Sequence, residues 1–271
     1  MLFINPPLIN QTFLVPKEYE YNDGSMLDSK LENVSNKNRI FYNEISSDVV
    51  IVNCAAERRS DQDVKTRAGN YDYQLNVLDR LLSEGKSVQW IQLESYWQNS
   101  LEVTPSPRYV YWKNELRSML IEKSKNHNLK VISIVLPHVI GVNDNKNRYL
   151  NKVFESITFG RKVTLKNSEN LFYLCDVDDI CKYLIKLILQ PEVSTKVLSS
   201  LFPFHTVKLS DLINQFKNLA KSNSNINFEI NESGKNPLMC IESQPVFVSS
   251  KEISLTNLDE SLSKILGWIK K

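Results

Sequence analysis

Residues 88–113 read VQWIQLESYWQNSLEVTPSPRYVYWK, and the fold is decided here. The stretch opens as an apolar-rich strand, Val88 to Leu93. It crosses a loop broken by prolines and enters a helix carrying Tyr109 and Lys113. Residues four apart on a helix share one face, one turn apart. A lysine ammonium within a few ångströms of a phenol favours the phenolate, and a tyrosine tuned that way exchanges protons with a substrate hydroxyl near neutral pH. Chance supplies about one Tyr-x-x-x-Lys in a chain of this composition, and there is one. The spacing alone therefore also fits a core tyrosine beside a solvated lysine, and the flanking sequence must choose.

Upstream, Asp48-Val49-Val50-Ile51-Val52-Asn53-Cys54-Ala55-Ala56 is an apolar run without alternation, ending in two small residues. Such runs suit central parallel strands covered on both faces. A helix follows over about Ala68 to Ser83, with Tyr71, Leu75, Val77, Leu78, Leu81 and Leu82 forming a broad apolar stripe and Gly85 placed as its cap. Downstream, the Tyr109 helix runs to about Asn126, and a strand over Lys130–Leu136 ends at Pro137. Strand, helix, strand, helix, strand with short connections is the pattern of right-handed βαβ units. The expected fold is α/β, a Rossmann-like doubly wound parallel sheet over 1–141, with a smaller C-terminal lobe over 142–271 interleaved with the sheet. In that lobe the sequence predicts a helix near Tyr149–Phe159 and strands at Lys162–Leu165 and Leu171–Cys175. A helix opened by Asp178 and Asp179 comes next, then a strand at Val197–Leu201 and helices over Ser210–Lys221 and Leu258–Ile269. Met1–Asn5 reads as a short buried strand stopped by Pro6-Pro7, and Gly24 as part of an Asn-Asp-Gly turn.

The remaining bounds are exclusions. The 271 residues are 42% hydrophobic and 24% charged, with a net charge of +2. Scattered basic residues at that balance point to neither nucleic acid nor a membrane surface. Cys54, Cys175, Cys181 and Cys240 are far apart, and Cys54 and Cys175 lie in strand-like runs that suit buried thiols in a reducing compartment. His127, His138 and His205 are isolated from each other and from the cysteines, so no metal set forms. With no signal segment and no long apolar run, a cytoplasmic protein is expected.

Four landmarks in order, DVVIVNCAA (48–56), Tyr109/Lys113 after a strand, VLPHVIG (135–141) and CDVDDI (175–180), resemble the extended short-chain dehydrogenase/reductases. Asn70 also falls where that family keeps an asparagine. The class modifies nucleotide-activated sugars as epimerases, dehydratases and reductases, and relatives making deoxysugars for surface polysaccharides look nearest. The resemblance, over about 45–270, implies NAD or NADP as cofactor and a nucleotide sugar as substrate. It gives Tyr109 as the catalytic acid/base and Lys113 as its partner and ribose ligand. Ala55, Ala56 and Pro137 lie along the cofactor. His138 stands where many relatives contact the sugar nucleotide's phosphates, or is a histidine satisfied within a turn. A dimer helix pair would use Trp112, Leu116 and Met119, which core packing explains equally well.

Three departures qualify the resemblance. Relatives begin with a strand and a glycine-rich turn whose N–H groups approach the pyrophosphate. Here residues 1–23 hold no glycine, and prolines follow MLFIN. The family's catalytic Ser/Thr aligns with Leu93, with Ser95 able to substitute if the loop shifts by two residues. A substrate-binding arginine aligns with Phe172, leaving Arg161 as the replacement. Two readings follow: an NAD(P)-dependent sugar-nucleotide reductase or epimerase, or a non-catalytic relative acting as a binding or regulatory subunit.

Overall fold

The computed structural model describes residues 2–4, 12–14, 48–54, 56, 63–99, 107–166, 169–189, 197–229 and 253–271. Two short strands come first, β1 (Leu2–Ile4) and β2 (Thr12–Leu14), followed by β3 (Asp48–Asn53). Next come α1 (Asp63–Arg67), a π-helical turn (Ala68–Asp72), α2 (Tyr73–Ser83), β4 (Ser87–Ser95) and a 3-10 turn (Tyr96–Asn99). The chain continues with α3 (Pro107–Asn126), β5 (Leu129–Leu136), β6 (His138–Ile140), α4 (Tyr149–Thr158), β7 (Val163–Lys166) and β8 (Leu171–Asp176). It closes with α5 (Val177–Leu189), β9 (Val197–Leu201), β10 (His205–Lys208), α6 (Leu209–Ala220), β11 (Ile226–Glu229) and α7 (Leu258–Ile269). Two compact units result, Met1–Val135 with Ile188–Ser200, and Leu136–Leu187 with Leu201–Lys271.

The first unit carries a six-stranded sheet in the order β2-β1-β3-β4-β5-β9. β3 and β4 are parallel, from Asp48 opposite Ser87 to Asn53 opposite Gln92. Val49 to Val52 are all nearly or fully buried, as a strand covered on both faces requires. On one face Val49, Ile51, Val88 and Trp90 pack with Val77, Leu78 and Leu81 of α2 and Leu116 and Leu120 of α3. Each such leucine contributes roughly 1.5–3 kcal/mol by leaving water. α2 ends as its sequence predicts. Gly85 has φ +73°, and its N–H and that of Lys86 bond the carbonyls of Leu82 and Leu81.

One feature departs from a fully parallel sheet. Leu2–Ile4 of MLFIN do form a strand, but β1 runs antiparallel to β3, with Leu2 opposite Val52 and Ile4 opposite Val50. β2 returns antiparallel along β1, so the edge of the sheet is a two-stranded ribbon. An apolar run specifies a strand without specifying its direction.

In the second unit β8 lies between β10 and β6, antiparallel to the first and parallel to the second, and β7 pairs with β11. The β6–β8 pairing puts His138–Ile140 in this unit, ahead of the Gly141 boundary read from the sequence. α4, α6 and α7 enclose a core that includes Leu150, Leu212 and Leu262, with Phe154 and Phe216 stacked at 4.1 Å. Gly141 explains how VLPHVIG and CDVDDI are joined. A Cβ there would fall 2.4 Å from Val177 Cγ1, at the start of α5.

Candidate active site

The side chains of interest in the first unit gather at the carboxyl end of β4. Tyr109 and Lys113, on one face of α3, are both buried, at 5% and 3% exposure. Lysine is almost never buried so far without partners. Here Nζ donates to the Leu93 carbonyl at 2.7 Å and lies 5.7 Å from the centroid of the Tyr109 ring. The solvated-lysine alternative is therefore wrong for this pair: the ammonium is held at the strand end, against the phenol.

β4 continues two residues past the strand read from the sequence and ends on Ser95. The alignment that placed Leu93 at the strand end presumed the shorter strand. Ser95 N donates to Gln98 Oε1 at 2.7 Å, and Ser95 Oγ accepts from Trp97 N at 3.3 Å. Gln98 Nε2 then donates to Asn114 Oδ1 at 3.2 Å, tying this turn to the residue after Lys113. Strand end, turn and α3 are thus one hydrogen-bonded assembly.

Beneath it lies a buried amide cluster that the sequence reading missed. Asn53 Nδ2 donates to Gln74 Oε1 and to Gln92 Oε1, both at 2.7 Å, and Trp90 Nε1 donates to Gln92 Oε1 at 2.9 Å. Gln74 Nε2 reaches the Gly69 carbonyl in the π-helical turn at 2.8 Å. All four side chains are at most 1% exposed. Satisfied polar networks of this kind rigidify what they join, here the ends of β3 and β4 and the helix over them. The signal was present in glutamines set into otherwise apolar strand and helix positions. Asn70 sits in the π turn, fully buried, donating to the Thr66 carbonyl at 2.8 Å; such turns are frequent at functional sites. Glu94, on the same strand, pairs with Arg117 at 3.2 Å, although Glu94 Oε2 and Arg117 Nη2 find no partner.

Other expected positions fall differently. Ala55 lies outside the described residues, and Ala56 is exposed. Cys54 is exposed because β3 ends at Asn53, whereas Cys175 is fully buried. Burial, with Asp176 and Asp179 nearby, pushes the Cys175 thiol far up, so it stays protonated. Leu116 is core and not dimer surface. Trp112 is held by Tyr71 at 5.6 Å, by Arg67 over its ring at 5.1 Å, and by Asp63 Oδ1, which accepts from its Nε1 at 2.9 Å.

In the second unit Pro137 is buried between β5 and β6. His138 belongs to β6, opposite Leu174, and not to a turn; its ring lies 5.5 Å from that of Phe172. The residue at the family's arginine position is therefore a packing partner of His138. Arg161 is exposed beyond α4, 3.8 Å from Glu155 and 5.5 Å over the Phe159 ring. The CDVDDI carboxylates act as anchors. Asp176 accepts from Ser261 Oγ and from Asp178 N. Asp179 accepts from Thr256 N and Thr256 Oγ1, each at 2.6 Å, and from Lys182. Burial alone would raise the Asp179 pKa, but these hydrogen bonds outweigh it and hold the carboxyl below its ordinary value.

No family model matches the sequence, and no curated protein matches it. Solved structures do match the fold. The UDP-Glc/GlcNAc 4-epimerase of Campylobacter jejuni is 15% identical, covering 93% of this chain and 89% of its own, with a TM-score of 0.67. The UDP-glucose 4-epimerase of Thermotoga maritima, solved with UDP-glucose, is 14% identical over 92% of this chain and 84% of its own, with a TM-score of 0.68. RMD from Pseudomonas aeruginosa, complexed with NADPH, is 14% identical over 82% and 81%, with a TM-score of 0.63. The fold is thus the Rossmann-like α/β fold that these structures share. Among the described residues, no helix is long and apolar enough to cross a membrane.

Proposed function

We propose that the chain is an NAD(P)-dependent sugar-nucleotide reductase or epimerase, working in deoxysugar or surface-polysaccharide biosynthesis. The observation that carries this is Lys113, buried and held between the Leu93 carbonyl and the Tyr109 ring at the carboxyl end of β4. Ligands of open α/β sheets bind at that end of the strands.

In this reading the Tyr109 hydroxyl gives and takes the proton of a substrate hydroxyl. Lys113 places its Nζ beside the Tyr109 ring and offers further N–H donors to a ribose. Ser95, at the strand end, supplies the second hydroxyl. Ala56 lies along the cofactor, and in the second unit Pro137, His138 and Arg161 are the positions the resemblance carries. A nicotinamide group, when bound, supplies hydride transfer. The residues fit its nicotinamide-ribose end, where Lys113 is already fixed. They do not fit its pyrophosphate end in the usual manner, because β1 is reversed.

The reading extends to the cytoplasm, which suits the thiols of Cys175 and Cys181, and to a homodimer through α3, where Tyr111 and Ile121 are exposed. Its test is Tyr109→Phe, assayed with a panel of nucleotide sugars and NAD(P). Turnover is expected to vanish with the melting temperature nearly unchanged, and full activity in the variant removes Tyr109 from its role. The reversed strand supports a second reading, a non-catalytic binding or regulatory subunit, in which the wild-type protein turns over none of the panel.

A further inference from the structure

In a doubly wound dinucleotide fold, the first strand runs parallel to its neighbours and delivers its turn to their carboxyl ends. There a helix N-terminus receives the pyrophosphate. The strand beside β3 here runs the other way. Leu2 lies opposite Val52 and Ile4 opposite Val50, so the chain leaves β1 toward the amino end of β3. Leu93, whose carbonyl holds Lys113, stands one residue beyond Gln92, which is opposite Asn53. From the level of Val50 to that of Leu93 is four residues, or roughly 13 Å at the usual strand rise. The exit of β1 and the Tyr109–Lys113 pair therefore lie toward opposite ends of the strands.

β2 does run the same way as β3, but β1 separates them. The carboxyl end of β3 is flanked on that side by the amino end of β1. Two adjacent carboxyl ends, the crevice in which such sheets hold a pyrophosphate, are not formed there. Sequence agrees with geometry. Pro6 and Pro7 follow β1, and residues 1–23 contain no glycine through which backbone could approach a phosphate closely.

We propose that this chain does not engage the ADP half of a dinucleotide, and that any nicotinamide nucleotide it takes is held through its nicotinamide-ribose half. The second clause rests on the function proposed above; the first does not.

The experiment is calorimetric titration of the full chain with ADP-ribose, with reduced nicotinamide mononucleotide, and with NADH and NADPH. ADP-ribose should give no binding heat at millimolar concentration. The mononucleotide should bind within about threefold of NADH, less than 1 kcal/mol apart. Binding of ADP-ribose at micromolar concentration overturns the proposal, as does NADH binding about a hundredfold or more tighter than the mononucleotide. Silence from all four ligands upholds the statement about ADP and sinks the proposed nicotinamide function instead.

Discussion

At the residue scale the site turns on how a lysine comes to be buried. Lys113 could not stay at 3% exposure as an isolated charge, and its position is set by the Leu93 carbonyl and the Tyr109 ring. Asp179 shows the same logic for a carboxylate. Its hydrogen bonds to Thr256 and Lys182 favour the charged form despite burial, so its folded pKa lies below the unfolded value of about 3.9. A depressed carboxylate stabilises the fold above the unfolded pKa, and that stability is lost as pH falls through and below it. Acid titration of melting temperature should therefore show a loss below about pH 4 that is reduced in Asp179→Asn. The variant should already be less stable at neutral pH, where its amide cannot accept all three bonds. An identical acid limb in both proteins would show that Asp179 is not the anchor it resembles.

At the element scale, close approach matters more than propensity. Gly141 lets the end of β6 meet the start of α5, and Gly141→Ala would press a methyl group into Val177. Overpacking of that kind should cost about 1–3 kcal/mol, read as a lower denaturant midpoint, with part restored by adding Val177→Ala. Elements with strong periodicity were legible. The predicted strand at Val197–Leu201 and helix at Leu258–Ile269 match β9 and α7 to the residue. Gly85 capped α2 as its position implied. What was not legible depended on partners distant in sequence. β6 is three residues long and exists because β8 pairs with it. The direction of β1 is fixed by β3, some 45 residues on. The amide cluster needs Asn53, Gln74 and Gln92 from three elements, so no local pattern announces it.

At the scale of the whole molecule, the fold is shared with sugar-nucleotide epimerases over most of their length, while identity has fallen to about 15%. That Tyr109 and Lys113 share one face of a helix was legible from their four-residue interval, but chance supplies about one such interval, so singling the pair out needed the flanking strands. The absence of glycine from residues 1–23 was likewise visible, but the reversed direction of β1 was not. These two features pull the function in opposite directions, so binding at the Lys113 end is the decisive property.

The most direct test of the account is titration of the wild-type protein and Lys113→Met with a reduced nicotinamide nucleotide, with melting curves run alongside. The account predicts saturable binding by the wild type and affinity lower by about tenfold or more, near 1.4 kcal/mol, in a variant that remains folded. Equal binding by both proteins, or none by the wild type, would contradict it.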